Sequence, residues 1–442
     1  MDINHRWIWL FFICINTVFA QEFSLFEAQS YALENVEKIK RAELDFEDAK
    51  QKVIETRAIG LPQVNTDFNF QNFLSIPVQA VDGVFIGEPP GTLVTFRAGT
   101  DYVASAGVTV NQLLFDGSYI VGLQVSRFYK KFVEDNIAKS QQEVLFDVTQ
   151  AYELALVSKE NKLFLDSLVE STESLLTKQQ SLFELGLIAQ EDVDQIEYAL
   201  VQAKTNLNAA NYATENAIAF LKMAMGYPME NEIILTEQLQ TLFNDVNKLE
   251  AIEGSIYDNI DLNLLEKQKR LNEYDVRNNQ MANLPKLNAV FGHQYNYFAN
   301  ENFTPINAEW FYQTYVGFNL SVPIFSSGSR YSKTQQAKIA VKQNEYQIQE
   351  LKRGLQLQEV QLKNDFKSAK EQLKLQKKNV DLAKSIYDNA LLKAEIGKEN
   401  SLAVTQKYQQ LITAQSQYVS AMIDVFNAKL SLDQLYNKLN KN

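Results

Sequence analysis

LLFDGS, Leu113–Ser118, has a counterpart in PIFSSGS, Pro323–Ser329, and from Gly117 to Gly328 is 211 residues (328 − 117). The same interval separates ELG, ending at Gly186, from EIG, ending at Gly397 (397 − 186 = 211). A third pair, LPQV at Leu61–Val64 and LPKL at Leu284–Leu287, is 223 apart (284 − 61), so the first copy carries about twelve extra residues between its LP and FDG motifs. Self-similarity at one interval organises a chain before any local pattern does. Both copies read in one order: helix, strand, loop, strand, very long helix, glycine-containing turn, returning helix. The first repeat is expected over 21–228 and the second over 256–442, joined by a linker at 229–255.

Working outward from these motifs, four segments alternate with period two, the mark of a strand with two unlike faces. They are expected near 63–73, 102–114, 286–297 and 311–323. In the first, Val64, Thr66, Phe68 and Phe70 interleave with Asn65, Asp67, Asn69 and Gln71; in the fourth, Tyr312, Thr314, Val316, Phe318, Leu320 and Val322 interleave with polar or small residues. A half-buried sheet would alternate in the same way. Two features favour a bilayer instead: the segments are about ten residues long, as a tilted spanning strand is, and Tyr and Phe crowd their ends like an interfacial girdle.

The helices carry a coiled-coil period. From Val193, positions Ile196, Leu200, Ala203, Leu207, Ala210, Thr214, Ala217, Leu221 and Ala224 alternate three and four apart, and Val341, Ile348, Leu355 and Leu362 stand seven apart. A 3.5-residue repeat of this kind supercoils left-handedly. Between Ser329 and about Glu395 there is no Pro and Gly354 is the one Gly. A single helix there would reach ~100 Å at ~1.5 Å per residue.

The N-terminus reads as a signal peptide over 1–20: His5 and Arg6 precede an apolar run from Trp7 to Ile15, and Val18, Phe19 and Ala20 form a small-residue cleavage pattern. The one cysteine, Cys14, lies inside that segment, so no disulfide is expected. Mean hydropathy of -0.25 and the absence of a later apolar run leave strands as the route into a membrane. A net charge of -12 argues against nucleic acid as a partner. His293 is the only histidine after the signal segment, and no phosphate-binding glycine loop occurs, so no catalytic, cofactor or metal site is expected and the protein is read as no enzyme.

Four strands cannot close a barrel, and an open sheet edge is not tolerated in lipid, so subunits must pool their strands. A head-to-tail ring closes in this way, with eight strands from two copies or twelve from three.

The paired LP and FDG/IFSSGS motifs, the turns ELGLIAQEDV (Glu184–Val193) and EIGKENSLAV (Glu395–Val404), and the segments FLKMAMGYP (Phe220–Pro228) and AKLSLDQLYNKL (Ala428–Leu439) together resemble the TolC-like outer membrane efflux family. The resemblance implies an α+β membrane protein: a homotrimer in which a long coiled-coil helical barrel crosses the periplasm and joins a transmembrane β-barrel with four strands per chain, seated in the outer-membrane lipid of a Gram-negative cell. It implies a passive exit duct for a tripartite efflux or type I secretion system, with a periplasmic adaptor (membrane fusion) protein and an inner-membrane transporter as partners. It places the periplasmic tip and adaptor docking at Gly186, Leu187, Ile188, Gly397 and Lys398; the acids of the tip are Glu191, Asp192, Asp194 and Glu399, and some of these are expected to set the gate or entrance charge. Asp192 matches a position that holds the closed entrance through polar links to the second turn, although a first-turn acid is also what a helix dipole favours. The chain departs from TolC where Ala394, Glu399, Ala403 and Gln406 replace the aromatic, basic and acidic residues of its latch and constriction, so gating here is expected to differ. The loops Leu74–Thr100 and Phe298–Trp310 are expected outside, the first as an ordered cap rather than a strand. A secreted, elongated coiled-coil structural or adhesive protein is the competing reading, and the lipid-facing strand pattern discriminates against it.

Overall fold

The computed structural model describes residues 21–439 except 88, 249–252, 301, 304, 307 and 308. The expected signal peptide lies outside the described residues. In chain order the elements are β1 (Gln21–Phe23), α1 (Leu25–Asn35), α2 (Glu37–Ala58), β2 (Gln63–Asn72), β3 (Val78–Asp82), β4 (Leu93–Arg97), β5 (Tyr102–Phe115), α3 (Gly117–Glu184), α4 (Gln190–Met225), β6 (Ile233–Leu235), α5 (Leu239–Lys248), α6 (Ile260–Met281), β7 (Lys286–Ala299), β8 (Phe311–Ser321), α7 (Ser329–Glu395) and α8 (Ser401–Leu435). Two compact units result, one of residues up to Asp45 with Glu134–Leu265 and from Ile348 onward, the other of Phe46–Val133 with Glu266–Gln347.

In the second unit β2, β5, β7 and β8 form one antiparallel sheet in that order. The register carries the alternation across all four strands. Val64 pairs with Val110, Val110 with Phe291 and Phe291 with Val316, and the row Phe68, Ala106, Tyr295, Tyr312 lies on the same face. The opposite face carries Asp67, Gly107, Gln294 and Gln313 in one row and Asn69, Ser105, Asn296 and Phe311 in another. Phe68, Val316 and Phe318 of the apolar face are 68%, 73% and 72% exposed, so this chain alone leaves that face uncovered. The outer strands β2 and β8 are exposed almost throughout, while β5 and β7 between them are half-buried.

The segment after β2 corrects one expectation. Instead of a strand-free cap it holds the antiparallel hairpin β3–β4. Its prolines bracket the strands rather than interrupt them: Pro77 precedes β3, and Pro89 and Pro90 sit in the connection, where a missing N–H removes no ladder bond. Near it Phe70, Tyr102, Tyr297, Phe303 and Trp310 form a chain of ring contacts with centroids 4.6–6.3 Å apart.

At the other end of the sheet the repeated motifs meet. Asp116 follows β5 and caps α3, its Oδ1 accepting from the N–H of Ser118 (2.8 Å) and Tyr119 (3.3 Å), while its Oδ2 pairs with Lys286 at 2.9 Å. A Cβ on Gly117 would lie 3.0 Å from Leu284 Cδ1 and from the Met281 carbonyl oxygen. The FDG glycine is therefore small because the second LP segment lies against it.

The helical unit buries its core along the coiled-coil positions. On α4, Val193, Ile196, Leu200, Ala203, Ala210, Thr214, Ala217 and Leu221 are buried, with Leu207 and Ala224 half-buried. A parallel two-stranded sheet of β1 and β6 closes one part of this unit, so the segment expected as a linker carries β6 and α5. Ser24 and Glu27 form a reciprocal capping box at the start of α1. Among the described residues no helix is long and apolar enough to cross a membrane.

Candidate functional site: the paired helix turns

Both turns lie in the helical unit and are built alike. α3 and α7 each end in a glycine of left-handed backbone, Gly186 at φ 73° and Gly397 at φ 69°. The N–H of Gly186 donates to the Phe183 carbonyl and that of Leu187 to the Leu182 carbonyl; Gly397 and Lys398 repeat this on Ala394 and Lys393. These are Schellman terminations, which satisfy carbonyls the helix end would leave open, and a left-handed residue there favours glycine.

The turns are tied side by side. Gln179 on α3 donates through Nε2 to the Ala394 carbonyl at 3.1 Å, and Lys178 pairs with Glu395 at 2.7 Å. Asp192 on α4 accepts from the Ser401 N–H at 3.4 Å, and Thr405 donates to the Gln195 carbonyl at 3.3 Å. Beneath them Ile196, Tyr387, Ala394, Val404 and Tyr408 are buried in one cluster. Ala394 is thus a packing residue that takes the backbone bond from Gln179. Burial pushes the Tyr387 hydroxyl up to about 12.

The two returning helices start differently. α8 is capped by Asn400, whose side chain accepts from the Ala403 N–H at 2.8 Å, and by Asp192 from the neighbouring helix. α4 begins at Ala189, which offers no side-chain cap. An Asn directly before a periodic run signals a helix start, so the Asn400 cap could have been read from the sequence. The Ser401 link could not, because its two ends lie 209 residues apart.

Of the expected site residues, Gly186, Gly397 and Lys398 are exposed, Leu187 is 68% exposed and Ile188 is half-buried. Leu185 and Ile396, at 73% and 65%, extend this apolar surface and were not anticipated. Glu191 and Asp194 are exposed, the latter accepting from Gln190 Nε2 at 2.8 Å. Asp192 and Glu399 are half-buried, and Glu399 pairs with Lys407 at 3.5 Å. Ala403 is half-buried and Gln406 exposed. Among the described residues no cluster of His, Cys, Asp or Glu could hold a metal ion.

The model of the family described as outer membrane efflux protein matches residues 29–227 and 255–438. The chain belongs to that family. Solved structures agree in fold. The CmeC outer membrane channel of Campylobacter jejuni superposes with a TM-score of 0.70 at 16% identity, covering 94% of this chain and 85% of that one. VceC of Vibrio cholerae gives 0.68 at 12%, covering 93% and 95%, and the MtrE outer membrane channel of Neisseria gonorrhoeae, in its open state, gives 0.67 at 14%, covering 94% and 88%. No curated protein sequence matches significantly. An outer membrane efflux protein is an exit channel of the cell's outer membrane with a helical extension into the periplasm, and no enzyme.

Proposed function

We propose that three copies of this chain close one barrel of twelve strands and one helical tunnel, forming a passive duct that receives cargo from an inner-membrane transporter through a periplasmic adaptor, as the exit component of a tripartite efflux or type I secretion system. The observation that carries this reading is the four-stranded sheet with one apolar, uncovered face and two exposed outer strands. Such edges must be paired inside lipid. The two-copy organisation draws support from the matching turns, whose terminal glycines keep the 211-residue interval (397 − 186). The apolar tip at Leu185, Leu187, Ile188 and Ile396, with Gly186, Gly397 and Lys398, is the adaptor's docking surface. Glu191, Asp192, Asp194 and Glu399 set the entrance charge, Glu191 and Asp194 most directly because they are the exposed pair.

The assembly is tested by extracting the protein from envelopes. Release only by detergent, and migration as a trimer that heat converts to monomer, are expected; a monomer soluble without detergent would refute it. The entrance charge is tested in planar bilayers, where neutralising all four acids should lower cation selectivity, and unchanged selectivity would refute that role.

A further inference from the structure

In the helical unit a cavity of about 110 Å³ opens between α3, α4 and α8. Leu154, Val157, Phe220, Ile423 and Phe426 give it apolar walls. Its polar lining is Gln150, Asn427 and Glu153. Gln150 Nε2 donates to Asn427 Oδ1 at 2.8 Å. Glu153 is 7% exposed and its Oε2 has no hydrogen-bond partner. Three charged groups from neighbouring segments act on it: Lys429 and Asp433 of α8, and Glu237 just after β6. Lys429 is engaged by Asp433 at 2.9 Å, so it offsets the burial of the carboxyl only in part.

Burying a carboxyl with a bare oxygen is unfavourable unless something completes it. An anion would find no Lys or Arg in the lining to receive it. Water would face walls that are mostly apolar. A hard metal cation requires about six oxygen ligands, and the cavity lacks them. A cation with an apolar body would meet both the carboxyl and the walls, and a cavity near this size accepts about one six-membered ring.

We propose that this cavity binds a small organic ammonium ion, its apolar body against Leu154, Val157, Phe220, Ile423 and Phe426 and its nitrogen donating to Glu153. Burial first, with Asp433 and Glu237 adding to it against Lys429, pushes the Glu153 carboxyl up to about 8, so at neutral pH the free site holds a proton. Binding exchanges that proton for the ammonium: the carboxyl O–H breaks, its proton goes to solvent, and the carboxylate accepts from the ammonium. The site is independent of the tip and of cargo movement, because binding to the purified protein reads it.

Cyclohexylammonium, titrated calorimetrically into the detergent-purified protein, is the test. It should bind wild type at least tenfold more tightly than Glu153→Gln, with close to one proton released per ligand at pH 7 and almost none above pH 9. Cyclohexanol, of similar size and uncharged, should not distinguish the two proteins. Ile423→Phe, which fills the cavity and keeps the carboxyl, should abolish binding, and it decides the matter if Glu153→Gln fails to assemble. Equal binding of cyclohexylammonium by both proteins, unimpaired binding by Ile423→Phe, or the same proton release with potassium chloride alone would each overturn the proposal.

Discussion

Asp192 Oδ1 accepts the backbone N–H of Ser401 at 3.4 Å, so an acid in the first turn of one returning helix caps the start of the other. The bond joins segments 209 residues apart, at the level where both long helices turn back. Any motion that separates α4 from α8 must break it.

Asp192→Ala should therefore loosen the tip. Losing a single capping acceptor costs about 1 kcal/mol, and Asn400 remains to hold α8. The expected readouts are a slightly lower melting temperature and a higher resting conductance in bilayers. Unchanged conductance with a lowered melting temperature would leave Asp192 a cap and remove it from the gate.

The uncapped start of α4 offers the opposite experiment. Ala189 already has the extended backbone of a cap, at φ −84° and ψ 158°. Ala189→Asp should stabilise the protein by about 0.5–2 kcal/mol, and hydrogen exchange at the amides of 191 and 192 should slow. Faster exchange there would mean that the added carboxylate is repelled by Glu191 and Asp192.

The sheet's two faces predict unequal tolerance to charge. Val316→Lys, on the apolar face, should destabilise by about 2–4 kcal/mol if that face meets the bilayer midplane, and should reduce trimer yield. Asn319→Lys, on the polar face, should assemble normally and alter ion selectivity instead. Equal yields of the two would argue that the apolar face does not meet lipid.

Glu153 gives stability a dependence on pH. Its folded pKa is about 8 and its ordinary value 4.5, so the folded state holds the proton more tightly than the unfolded chain. Stability from this group is full below pH 4.5 and falls progressively as pH rises through 8. Glu153→Gln should remove the decline: its melting temperature should exceed wild type at pH 9 and converge with it near pH 4.5. A wild-type advantage at pH 9 would show that Glu153 ionises without penalty.

Much of this architecture was legible because it rests on local repetition. The period-two segments placed four strands, the three-four spacing after Val193 placed the buried stripe of α4, and the run without proline from Ser329 to Glu395 became one helix. The turns were legible because a glycine that ends a helix needs only its own φ. The β3–β4 hairpin was missed because proline marks where a ladder bond is absent, and says little about the residues beside it.

By itself, then, the order of residues determined the long helices, the four strands of the main sheet and which face of each is apolar, since all three follow from periodicities of two to seven residues. Only the tertiary structure decided that Asp192 meets Ser401, that Glu399 is engaged by Lys407, that Leu284 and Met281 leave no room beside Gly117, and that Glu153 is buried with a bare oxygen. The Asp192, Gly117 and Glu153 relationships depend on how helices and strands far apart in sequence are set against one another. The Glu399–Lys407 pair spans only eight residues (407 − 399), but crosses from a turn into a helix whose backbone bend no side-chain period records.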